Sequence, residues 1–160
     1  YNWHKKETTP TFYNTRGLGW AFEGLLATWH ANPEKKIYLE KAVKMADVLL
    51  TGQQPDGSWN YNYIQPVSEV GTSEKGTALY SLLYYRLYHA TKDGRYLAAA
   101  RNALKWCMEH QYMGENMHAR GGIIACSPAS CVTYRAFFNA CCNYTSGFLG
   151  LAILEEMKLS

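Results

Sequence analysis

Two stretches of this 160-residue chain gather flat aromatic rings beside hydrogen-bonding side chains. The first holds Trp59, Tyr61 and Tyr63 with Asn60 and Asn62; the second holds His118, Arg120, Tyr134, Arg135 and Tyr144. Trp20 stands apart, four residues after Arg16, at the start of an apolar helical pattern. Aromatic faces stack on sugar rings, while amide, imidazole and guanidinium groups bond hydroxyls and carboxylates, so this mixture suits carbohydrate better than an apolar ligand. Arg16 lies just before Gly17 and Gly19, where the backbone lets a ligand close and a guanidinium can grip a carboxylate through two parallel bonds. With 13 tyrosines in the chain, any single ring is as well explained by filling a wide helical domain. The cluster marks the site, not the individual ring.

Acid–base chemistry has few carriers. Of three aspartates, Asp56 belongs to an Asp-Gly turn, Asp47 to a helix and Asp93 to a short turn. Glu23, Glu69 and Glu74 are left as acid or base candidates, and Glu74, in the first turn of a helix, also complements that helix's dipole. No Gly-rich phosphate loop, paired-histidine metal motif or Ser/Cys nucleophile motif is present. The five cysteines are an odd set. Cys107 falls on an apolar helix face, and Cys126, Cys131, Cys141 and Cys142 match no standard zinc spacing, so all read as small hydrophobes. Neither metal nor cofactor is implied.

The elements that must position these residues are helices. Leu18, Phe22, Leu25, Leu26 and Trp29 recur at helical spacing up to Asn32 and Pro33; Leu39, Ala42, Val43, Ala46, Leu49 and Leu50 follow the same period up to Gly52. A third helix begins at Thr72 or Ser73 and stops before Asp93, a fourth carries Leu97, Ala100, Leu104, Cys107 and Met108, and a fifth runs from Thr145 or Ser146 to the end. Tyr38, Leu39, Ala42, Ala46, Leu49, Leu50 and Gln53 recur about 58 residues later as Tyr96, Leu97, Ala100, Leu104, Cys107, Met108 and Gln111. Helices two and four are thus one element used twice, and the unit is a helical hairpin. Short turns at Asn32-Pro33 and Asp93-Gly94 alternate with long segments, Gln53 to Gly71 and Gln111 to Tyr144. In antiparallel arrays alternate loops share a face, so both long segments are expected at one end, with the starts of helices one, three and five.

Length and composition (48% hydrophobic, 18% charged) fit one domain over residues 1–160. The sequence holds no run of eighteen apolar residues, so no membrane span is expected. The net charge of +3 is scattered over helix faces, which argues against nucleic acid. The chain starts with Tyr, not Met, and so is expected to come from something longer.

Four segments in order, Arg16-Gly17-Leu18-Gly19-Trp20, Gln53-Gln54-Pro55-Asp56-Gly57-Ser58-Trp59, Gly76-Thr77-Ala78-Leu79-Tyr80 and Gly147-Phe148-Leu149-Gly150-Leu151-Ala152, resemble the unsaturated glucuronyl and rhamnogalacturonyl hydrolases of glycoside hydrolase families 88 and 105. The resemblance implies an all-α fold, the six-hairpin α/α toroid, and hydration of the C4=C5 double bond of an unsaturated uronic acid by an aspartate. It makes Arg16 and Trp20 ligand contacts, with Trp59, Tyr61, His118, Arg120, Tyr134 and Arg135 as further substrate-binding candidates.

The family's aspartate precedes the Arg-Gly-x-Gly-Trp segment, and only fifteen residues, none of them aspartate, stand there in this chain. The acidic residue before the family's Thr-Ser-x-Thr-Ala helix start is replaced by Gly71. The chain is therefore expected to be about half a barrel, catalytically incomplete alone, with an oligosaccharide as ligand. Its ring would be closed by a missing N-terminal half or by a second copy in a homo-oligomer. The alternative is a non-catalytic carbohydrate-binding or structural module. A third reading, from the likeness of Gln-x-x-Asp-Gly-Ser-Trp to terpene-cyclase repeats, lacks the aspartate cluster that cation cascades need.

Overall fold

The computed structural model describes residues 14–62, 71–123 and 141–159. Five α-helices organise them, with no strand among the described residues: α1 (Thr15–Ala31), α2 (Ile37–Leu50), α3 (Glu74–Thr91), α4 (Gly94–Glu109) and α5 (Asn143–Met157). The all-α class read from periodicity is the class observed. None of the described helices is long and apolar enough to cross a membrane.

Local chemistry sets the helix ends. The Asn14 side chain accepts from the Gly17 N–H at 3.0 Å, Ser73 Oγ from Gly76 at 3.2 Å and Asp93 Oδ1 from Arg95 at 2.9 Å. Helix α3 stops where Lys92 turns left-handed at φ 59°. Helix α5 starts earlier than Thr145 or Ser146: Cys142 takes the cap position, and Ser146 lies inside the first turn. Its hydroxyl accepts a bond from the loop at Ile123 N–H, 3.2 Å away, and donates to Cys142 O at 3.0 Å.

Helix α3 is the hub, packed against α1, α4 and α5, while α2 packs on α1 and α4 also touches α5. Helices α1, α3 and α5 thus lie in one row, backed by α2 and α4. From Gly76 to Tyr85 every residue of α3 is buried, including five that carry a hydroxyl group. Three of those hydroxyls each donate to a carbonyl of a different helix: Tyr80 to Thr15 O at 2.7 Å, Ser81 to Ala100 O at 3.0 Å and Tyr84 to Ala46 O at 2.8 Å. A polar group in the core is tolerated when it is bonded in this way, and here the bonds also fix how the neighbours sit on the hub.

The repeat extends beyond the outer helices into the loops that follow them. Gln53 and Gln111 each donate a side-chain bond to a glycine carbonyl, Gly57 O at 3.0 Å and Gly121 O at 2.7 Å. Both glycines have positive φ, 96° and 84°. Two residues on, Trp59 and Ile123 are fully buried plugs, paired across the loop with Gln53 and Gln111. The carbonyl of each plug accepts from the cap residue of the next row helix, Ser73 N at 2.8 Å and Cys142 N at 3.0 Å. The N–H of each plug donates to a hydroxyl four residues past that cap, Thr77 at 3.1 Å and Ser146 at 3.2 Å. One set of bonds, used twice, attaches an outer helix to the following row helix.

Trp59 is the larger plug. Its Nε1–H donates to Leu49 O at 2.8 Å, and its ring stacks on Tyr84 at 5.7 Å and meets Tyr80 edge-on at 4.8 Å. Trp59→Ala is expected to lower the unfolding free energy by about 3–5 kcal/mol, read by urea denaturation. A loss under about 1 kcal/mol, no more than one hydrogen bond is worth, would contradict the plug role.

Candidate functional site

The starts of α1, α3 and α5 meet at one end. Thr15 N–H bonds Tyr61 O at 3.1 Å, and a Cβ on Gly76 would sit 2.8 Å from the Thr15 methyl group, so α1 and α3 begin side by side. Arg16 Nη1 donates to the Tyr144 hydroxyl at 3.1 Å, and Lys75 Nζ lies 5.4 Å over the Tyr144 ring. Arg16, Lys75 and Tyr144 are each the second residue after their caps, Asn14, Ser73 and Cys142. Three helix N-termini and two cations therefore surround one exposed phenol.

This arrangement opposes the local rule. Helix starts carry partial positive charge and favour acidic residues, yet α1 and α5 have none in their first turns, and α3 places Lys75 next to Glu74. A cluster that costs stability locally and points outward is suited to an anion from solution.

One turn further in, Trp20 (46% exposed) meets Phe148 edge-on at 5.7 Å, so side chains of α1 and α5 touch across α3. The row is therefore concave, and this aromatic pair divides its inner face. Beyond it Arg86 faces Glu23 at 3.7 Å. A groove of 710 Å³ follows toward the helix C-termini, lined by Leu26, Trp29, His30, Arg86, His89 and Glu155 among others. Glu155 is held there by Lys158 at 2.8 Å and His89 at 3.4 Å.

The predicted site residues separate into groups. Arg16 and Trp20 share the helix-start end, and Tyr61 borders it, half-buried, through its carbonyl bond to Thr15. Trp59 must be corrected: a fully buried ring whose N–H is spent on Leu49 offers no sugar platform. Asn60 and Asn62 are buried as well, in backbone bridges to Thr72 and Asn14. His118 and Arg120 lie exposed on the turn closed by Asn116, and no described contact joins either to Arg16, Trp20 or Tyr144. Glu74 is 4% exposed in the first turn of α3, and Glu23 is in its ion pair with Arg86. Tyr63, Glu69, Cys126, Cys131, Tyr134 and Arg135 lie outside the described residues. Lys75, Tyr144's cationic neighbour, escaped the sequence reading, although aligning the three helices on their caps puts it level with Arg16.

Cys107 is buried in the core as expected, and burial pushes its thiol up to about 12. Cys142 departs from its expected role as a packed hydrophobe. Burial pushes its thiol up, but the Thr145 hydroxyl, the N–H groups of Thr145 and Tyr144 and the charge of Lys75 outweigh that and hold it below the ordinary thiol range. Among the described residues, no group of three or more His, Cys, Asp or Glu is placed to hold a metal ion.

No protein-family model matches this chain, and no curated protein matches it significantly.

Because the Cys142 thiol is depressed, its thiolate fraction is higher at neutral pH than that of a free thiol, and iodoacetamide should label Cys142 well before Cys107. Peptide mapping across pH should give Cys142 a labelling midpoint below that of a free cysteine, and Lys75→Met should move it upward. A midpoint at or above the free value would rule out the cap geometry.

Proposed function

We propose that this chain is a segment of an α/α toroid, about half of a six-hairpin ring, and that its helix-start end binds an acidic oligosaccharide. The observation that carries the reading is the meeting of Arg16 and Lys75 with three helix N-termini beside the exposed ring of Trp20. A uronate carboxylate would take the two cations and the Tyr144 hydroxyl, and the pyranose face would lie on Trp20. The ring reading is supported by the concave row of three helices, the outer helices behind it and the repeated loop attachment.

The likeness to the unsaturated uronyl hydrolases extends this to the unsaturated uronic acids that polysaccharide lyases leave. Hydration of their double bond needs a carboxylic acid at the sugar, and here the three aspartates are engaged elsewhere. Asp47 accepts from Tyr96 at 2.8 Å, Asp93 caps α4 and pairs with Arg95 at 2.7 Å, and Asp56 closes its own turn on Ser58 at 2.7 Å. That engagement favours binding without turnover by this chain alone, either as a non-catalytic module or as the part of a hydrolase that needs further hairpins. Among the described residues Glu23 and Glu74 are the acids nearest the row's start, and Glu69 falls in the first long segment, shortly before α3 in sequence.

Titration with an unsaturated uronyl disaccharide, followed by calorimetry and by the absorbance of its double bond, tests both parts. Binding without loss of absorbance is expected; falling absorbance would mean a complete site, with Glu23, Glu69 and Glu74 the acids to replace. Arg16→Ala should weaken binding by about 10–100-fold, the worth of a charge-assisted bond of about 1.5–3 kcal/mol. Trp20→Ala should cost about tenfold for acidic and neutral sugars alike. Equal affinity for the uronide and its neutral counterpart would remove the carboxylate from the proposal.

A further inference from the structure

Among the described residues the row of three helices has two uncovered edges, and they differ in shape. On α5, Leu151, Leu154 and Met157 are 43, 53 and 64% exposed, and Gly147 and Gly150 are exposed on the turn before them. This helix is apolar nearly all round, a composition that belongs to a helix buried on more than one side. On α1, the face turned away from α3 carries Gly17, Ala21, Gly24, Thr28 and Ala31, all exposed, small and uncharged. One edge offers large side chains and the other shallow notches, and none of these residues carries a charge to desolvate. Within the row the same fit is already in use, since α1 gives Gly19 to Leu79 of α3, where a Cβ would lie 2.6 Å from Leu79 Cδ2.

We propose that a second copy of this chain covers both edges at once, α5 of each against α1 of the other, so that two rows close into one ring of six parallel helices about a two-fold axis. The register follows from contacts inside one copy. Arg16 meets Tyr144, and Trp20 meets Phe148. Each pair sits equally far past the caps Asn14 and Cys142, so α1 and α5 begin at the same height. Rotation about an axis along the helices keeps that height. Leu151 then falls between Ala21 and Gly24 of the partner subunit, Leu154 between its Gly24 and Thr28, and Met157 between its Thr28 and Ala31. Both copies' Arg16 and Lys75 come to the same end of the ring, which doubles the anion-binding surface.

This inference rests on the ring architecture proposed above but not on the ligand, so it is tested without sugar. Sedimentation equilibrium of the full chain should show a monomer–dimer balance. Gly24→Glu and Leu154→Glu should each raise the dimer dissociation constant by about tenfold or more. Helix content by circular dichroism should be retained, since a Cβ at Gly24 meets nothing within 4 Å. Combining Gly24→Glu with Leu154→Lys in one chain should restore association, because the opposed charges meet across both edges, whereas Gly24→Glu with Leu154→Glu should not. A monomer at every concentration, or a dimer indifferent to these changes, overturns the proposal. A dimer that the Glu–Lys combination fails to restore also overturns it, because α1 then does not face α5.

Discussion

The burial of Trp59 against α3 is the contact on which the rest of the molecule depends. Its ring packs on Tyr80 and Tyr84 of α3, its N–H occupies a carbonyl at the end of α2, and its backbone is bonded on both sides to the start of α3. A large aromatic plug brings more apolar burial to one point than any aliphatic could, and its single polar atom is satisfied. The height at which α3 begins is therefore fixed by α2. Ile123 repeats the attachment between α4 and α5 with a smaller side chain and the same backbone bonds.

Because both row helices are hung from the preceding outer helix by equivalent bonds, their N-termini come out level, and α1 joins them through Thr15 and Tyr61. Level helix starts sum their positive ends at one place. Arg16 and Lys75 add full charges where local electrostatics would favour carboxylates. Among the described residues only Glu74, buried beside Lys75, offsets them. The positive end is thus a consequence of the scaffold's own registration, sharpened by side chains that a purely structural helix start would not choose. At the opposite end the helix C-termini surround a groove in which charges are paired internally, Glu155 with Lys158 and Arg86 with Glu23. Paired charges stabilise one another and have less left for a ligand. Trp20 and Phe148 separate the two regions and close the inner face at mid-height.

Every helix of the hub is wrapped except at the row's edges. Helix α3, with neighbours on both sides and behind, hides nearly all of its surface, whereas among the described residues α1 and α5 each leave one side open. On α1 that side is small and neutral, so the cost of leaving it in water is slight. On α5 it carries leucine and methionine, whose exposure is unfavourable at about 25 cal/mol per Å².

The number and type of the helices were legible in the sequence because apolar period, caps and breakers act within a few residues. Asn14, Ser73, Asp93 and Pro33 mark their boundaries by chemistry that needs no tertiary partner. The repeat of Gln53 and Gln111 was legible too, since each glutamine serves a loop that closes locally. Burial of the loop aromatics was not. Trp59, Asn60 and Asn62 have the composition of a sugar-binding loop, and only the position of α3 decides that they face inward. Nor could the sequence pair Arg16 with Lys75 and Tyr144, which are brought together from helices far apart in the chain by hydrogen bonds between loop backbones and helix caps. Local preferences determine which elements form, and the plug contacts between distant segments determine which side chains reach solvent together. A residue's type limits what it can bind, but its exposure is a property of the assembled fold.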